Sequence, residues 1–194
     1  YDKPLLAAIA LTAALYHAIN HAFFKSLLFL ATGAVLHATH ERSLGKLGGL
    51  IHRMPWVAWL ALVGTLAIAG LPPLNGFVSE WLLQAFLFTP TLPQSFVNML
   101  VPIAAAALVL AAALAAYVMV KFYGVIFLGR PREANLAYAK DAGKHERLAL
   151  SLLAAGCVLL GIFPGFVIQT LDPVNVLLVG SAVGEAAGNW LMLA

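Results

Sequence analysis

Four long apolar runs alternate with short polar segments along the chain: Leu5 to Ala38, Pro55 to Phe88, Phe96 to Leu128 and Leu148 to Leu171, with a weaker fifth stretch after Pro173. Each run is at least as long as the roughly 20 residues that a helix needs to cross the hydrocarbon core of a bilayer. The runs are rich in Ala and Leu and lack the period-two alternation of an outer-membrane strand. Hydrocarbon offers no water to open backbone groups, so such runs predict helices. The expected fold is an all-α polytopic membrane protein of about four to five transmembrane helices.

The second run is interrupted in its middle by Gly70-Leu71-Pro72-Pro73-Leu74-Asn75-Gly76. Two adjacent prolines remove two backbone donors and clash with the preceding turn, and the flanking glycines loosen the helix further. The sequence predicts a helix broken at mid-membrane into halves running from Pro55 to Gly70 and from Gly76 to Phe88. Non-helical backbone at that depth is tolerated where it is buried in protein or lines a wet cavity, as in the broken helices of transporters.

Composition narrows the class. Of 194 residues, 62% are hydrophobic and 10% charged, against about a quarter charged in a soluble domain, and the mean hydropathy is +0.93. A soluble domain is excluded. The single cysteine, Cys157, excludes an internal disulfide framework and any all-thiolate cluster built by this chain alone. No cofactor and no redox site are therefore expected.

The net charge of +3 resides in loops rather than on a nucleic-acid-binding stripe. Arg42, Lys46 and Arg53 lie in the segment His40 to Arg53, and Arg130, Arg132, Lys140, Lys144 and Arg147 lie between Gly129 and Arg147, whereas Thr89 to Ser95 has no basic residue. With alternating passes, the two basic loops share one side, which the positive-inside pattern makes cytoplasmic. Trp56 and Trp59 then stand at that interface. The chain opens without an initiator Met and stops inside an apolar stretch, so it reads as one membrane domain, residues 1–194, cut from a longer protein.

Lys25 and Glu80 fall well inside apolar runs, where a charge at the bilayer centre costs roughly 2.5 to 3.5 kcal/mol on insertion scales. Such groups usually face the protein interior or a water path, and function is the default expectation; a Lys–carboxylate pair that merely pins two helices is the structural alternative. His17, His21 and Lys25 follow one another at intervals of four and share a helix face, about 6 Å apart along the axis, a gap that one or two waters bridge. Tyr16 and Asn20 form a second polar row beside them, and Ser79 precedes Glu80. No metal site is expected, because a histidine pair without a nearby third ligand falls short of a zinc set.

Three segments carry a family resemblance: Tyr16-His17-Ala18-Ile19-Asn20-His21-Ala22-Phe23-Phe24-Lys25-Ser26-Leu27-Leu28-Phe29-Leu30; Leu47-Gly48-Gly49-Leu50 with Arg53-Met54-Pro55; and Gly70 through Trp81, with its Pro72-Pro73 and Asn75-Gly76 pairs. In this order they resemble the proton-translocating antiporter-like subunits shared by respiratory complex I, multisubunit cation/proton antiporters and membrane-bound hydrogenases. The Asn-Gly-Phe-Val-Ser-Glu-Trp form most resembles the B-type subunit of the hydrogenase-4 branch, the kind found in formate hydrogenlyase-type complexes.

The resemblance implies that the first run is the family's eleventh helix and the broken run its twelfth. His17, His21 and Lys25 then correspond to the His and Lys that link the central hydrophilic axis, and Glu80 to the terminal site, where many relatives carry Lys. It also implies that the family's earlier Glu and Lys lie outside this chain, which holds the distal half of the path. The implied function is a non-catalytic subunit that moves protons or sodium ions in the prokaryotic inner membrane, beside other membrane subunits of a respiratory or hydrogenase complex. A stand-alone secondary transporter of a small solute is the alternative, and a purely structural anchor a third reading.

Overall fold

The computed structural model describes residues 4–88 and 95–183, and within them the chain is helical with short 3-10 turns and no strand. Six α-helices follow in order: α1 (Pro4–Thr39), α2 (Pro55–Ile68), α3 (Asn75–Phe88), α4 (Ser95–Phe127), α5 (Lys144–Ile162) and α6 (Pro164–Val179). Among the described residues, three stretches are long and apolar enough to cross a membrane, Pro4–Thr39, Asn98–Phe127 and Lys144–Ile162. The uncharged loop after Phe88, the N-terminal Tyr1 to Lys3, and Glu185 with the end of the fifth stretch lie outside the described residues.

The second run is broken as expected, into α2 and α3. The fourth run, in contrast, does not continue as one helix to Leu171. It ends at Ile162 and restarts at Pro164, and α6 then runs through Pro173 to Val179. The residue before a proline is pushed out of the helical region, and Phe163 accordingly sits at φ −117°, ψ 51°. Pro164 occupies the first turn of α6, where its missing N–H costs nothing. The boundary therefore lies at Pro164 and not at Pro173.

α1 is the hub, packed against α2, α3, α5 and α6. One stripe of it is buried, including Ala8, Thr12, Tyr16, Asn20, Phe24, Leu27, Ala31 and Val35. These positions recur at three- and four-residue spacing and so lie on one helix face. α4 packs on α2 and α3 but leaves most of the Ala104 to Ala116 stretch exposed among the described residues.

The main core lies toward the basic end, where Leu50, Met54, Val57, Phe127, Leu136 and Leu150 are all at most 1% exposed. There the two basic loops meet. The Gly49 N–H donates to the Leu128 carbonyl at 2.9 Å, and the Arg132 guanidinium donates to the Leu44 and Gly45 carbonyls at 3.2 and 3.3 Å. Asp141, from the second loop, accepts the Trp56 and Val57 N–H groups at 2.9 and 3.4 Å and so caps the open donors of the first turn of α2. Arg147 completes the contact, 3.6 Å from Asp141 and over the Trp56 ring.

Candidate functional site

The break occupies residues 69–74. α2 ends in a Schellman motif: Gly70 takes the left-handed conformation at φ +67°, its N–H donates to the Ala67 carbonyl, and the Leu71 N–H reaches back to the Leu66 carbonyl, both at 3.2 Å. The Pro72–Pro73 peptide is cis. α5 supports the break from outside, for Gly161 lies so close to the Pro73 carbonyl and the Leu74–Asn75 backbone that a Cβ there would collide with them.

Two buried asparagines fasten the start of α3 to α1. Asn20 Nδ2 donates to the Asn75 carbonyl at 2.8 Å, and Asn75 Nδ2 returns a bond to the Asn20 carbonyl at 3.3 Å. A polar side chain in an apolar interior is costly unless bonded, and each of these amides donates to the other residue's carbonyl while its own Oδ1 is left without a partner among the described residues. Tyr16 is fully buried one turn earlier, and its hydroxyl donates to the Leu160 carbonyl of α5. The second polar row predicted beside the His–Lys row therefore fixes helices: Tyr16 holds α5 and Asn20 holds α3.

His17 and Ser79 are brought together, with Nδ1 and Oγ 3.0 Å apart. The Ser79 hydroxyl also donates to the Gly76 carbonyl at 3.0 Å. Serine has one hydroxyl proton to give, so this arrangement assigns the Nδ1 proton to His17 and leaves its Nε2 as the open position. The His21 ring follows with its centroid 6.0 Å from that of His17 and 5.3 Å from that of Phe24. The two histidines are exposed, and Lys25, one turn on, is half-buried.

Glu80, next to Ser79, is half-buried. Its carboxylate folds back over the break onto Gly70, where an added Cβ would strike both oxygens and the carbon between them. Glycine is thus required at position 70 for its backbone conformation, and the end of the Glu80 side chain occupies the space beside it. Lys25 and Glu80 are not paired with each other among the described residues. The helix pin expected of a Lys–carboxylate pair is instead supplied by Asn20 and Asn75.

The geometry therefore joins His17, Ser79, Glu80 and the break at Gly70, Pro72, Pro73, Asn75 and Gly76 into one locus. His21 and Lys25 extend it along α1 toward the basic end. Leu160 escapes a reading by residue type, because it acts through its backbone carbonyl.

The transmembrane family model of the NADH:quinone oxidoreductase/Mrp antiporter type matches residues 5–104. Hydrogenase-4 component B of Escherichia coli K12 is 42% identical over 160 residues, 82% of this chain and 24% of that protein. Formate hydrogenlyase subunit 3 of the same organism is 39% identical over 172 residues, 88% of this chain and 28% of that protein. The fold is also similar to a chain of the membrane-bound sulfane sulfur reductase, an archaeal respiratory membrane complex, with a TM-score of 0.75 and 31% identity over 84% of this chain and 26% of that one. The chain spans about a quarter of the length of these relatives. The matched residues contain α1, the broken helix and the polar locus between them, and the chain belongs to the NADH:quinone oxidoreductase/Mrp antiporter transmembrane family.

Proposed function

We propose that this chain is the distal part of an ion path in a membrane subunit of a hydrogenase-4 or complex I-like assembly, moving protons or sodium ions while redox chemistry proceeds in other subunits. The His17–Ser79 contact at 3.0 Å carries the reading, because it links the ionisable row of α1 to the residue beside Glu80 at a helix break. In this scheme Lys25 and His21 pass a proton to the open Nε2 of His17, Ser79 holds that ring in register, and Glu80 is the terminal group. Histidine suits the relay because both of its ring nitrogens exchange protons. The relatives' names, hydrogenase-4 component B and formate hydrogenlyase subunit 3, support the class of assembly. The positive-inside pattern supports a cytoplasmic position for loops 40–53 and 129–147 in a prokaryotic inner membrane.

The test is Glu80→Gln in the full complex. Proton translocation measured in inverted vesicles falls to background while the subunit remains inserted and assembled; normal translocation by that variant overturns the assignment.

A further inference from the structure

At the basic end, away from the proposed path, a cavity of about 570 Å³ opens between the last turns of α1 and the start of α5, lined among others by His37, Tyr138, Lys140, Asp141, Lys144 and Glu146. Its two carboxylates are already engaged. Asp141 accepts the Trp56, Val57 and Ala142 N–H groups and faces Arg147, and Glu146 accepts the Gly143 N–H at 3.0 Å.

The basic side chains of the cavity are differently placed. Lys140, Lys144 and His37 are exposed, and no described residue supplies them with a hydrogen bond or an ion pair. The two lysines thus face the cavity as uncommitted cations, while its two carboxylates are committed to backbone N–H groups and, for Asp141, to the Arg147 guanidinium.

Depth identifies the ligand. Asp141, in the cavity wall, holds the Trp56 backbone, and the Trp56 and Trp59 rings are 52% and 62% exposed. Exposed tryptophans at the end of a spanning run stand at headgroup level, where basic pockets between helices meet anionic lipid. We infer that this cavity binds the phosphate headgroup of an anionic phospholipid through Lys140 and Lys144. The site does not depend on the proposed ion path.

The test uses the full-length parent subunit in its complex, in phosphatidylcholine nanodiscs doped with a photoactivatable phosphatidylglycerol, with labelling of the segment 138–147 followed by mass spectrometry. Wild type labels at low mole fraction. Lys140→Gln with Lys144→Gln needs about 30-fold more of the anionic lipid, the change that about 1 kcal/mol per lysine gives. Lys140→Arg with Lys144→Arg labels as wild type, which separates loss of charge from loss of fold. The charge-matched Arg42→Gln with Lys46→Gln, on the neighbouring loop, also labels as wild type. The inference is overturned if the double Gln variant labels undiminished, if the Arg42/Lys46 pair loses as much, or if excess inorganic phosphate abolishes labelling and so identifies a soluble anion as the occupant.

Discussion

Ser79 has an unusual position for a small hydroxyl, since it receives the His17 ring on one side and closes onto its own helix through the Gly76 carbonyl on the other. A serine in a helix interior commonly bonds back to the preceding turn, so the second contact is ordinary and the first is the informative one. Ser79→Ala frees the His17 ring and should lower translocation several-fold with assembly intact. Ser79→Thr, which keeps the hydroxyl, should restore it; equal rates in both variants would remove Ser79 from the path. Outside the membrane, Glu41 behaves differently. Its carboxyl is held below the ordinary carboxylate range chiefly by the Ser43 N–H, with Lys46 at 3.4 Å helping. A depressed carboxylate contributes its hold above the ordinary range and loses it as pH falls through the lowered value. Amide protection at Ser43 should accordingly be full at neutral pH and fade in acid, as hydrogen exchange corrected for intrinsic rate would show.

Among elements, the broken run is the one whose shape depends most on its neighbours. α2 terminates through its own residues, by the Schellman turn at Gly70 and Leu71, but the path of the connection to α3 is set by α5 pressing Gly161 against Pro73 and Leu74. Gly161→Ala puts a methyl into backbone that cannot retreat, and overpacking of this kind costs about 1–3 kcal/mol. Gly124 in α4 meets nothing within 4 Å, and Gly124→Ala should be neutral or stabilise by up to about 1 kcal/mol. Denaturation in mixed micelles compares the two, and equal midpoints would show that α5 does not shape the break. The break itself is legible in Pro72-Pro73 with its flanking glycines, and Lys25 and Glu80 stand out as charges in apolar runs. The stop at Ile162 is not, because Pro164 and Pro173 are equally visible as letters. Only the helix that each begins or continues distinguishes them: Pro164 starts α6, whereas Pro173 is carried inside it. Backbone partners such as the Leu160 carbonyl leave no residue-type signal at all.

For the molecule as a whole, hydropathy and loop charge foretell that both basic loops lie at one end, yet not that they interlock. By its neighbours in sequence Asp141 belongs to a hydrated loop; it serves instead as a cap for α2, whose Trp56 N–H lies 85 residues earlier in the chain. Each connection thereby acts as a clasp for the other. Arg132 grips the Leu44 and Gly45 carbonyls just ahead of Glu133, and Leu136, a little beyond Glu133, is fully buried in the core. A single protease cut between Arg132 and Glu133 would thus leave anchored chain on both sides of the nick. The two pieces should co-elute in mild detergent and separate only on full denaturation, and dissociation of the nicked protein in mild detergent would contradict the interlock. Continuity of the polypeptide at this corner is mechanically redundant, so the segments on either side of it could be delivered to the membrane as two separately made pieces.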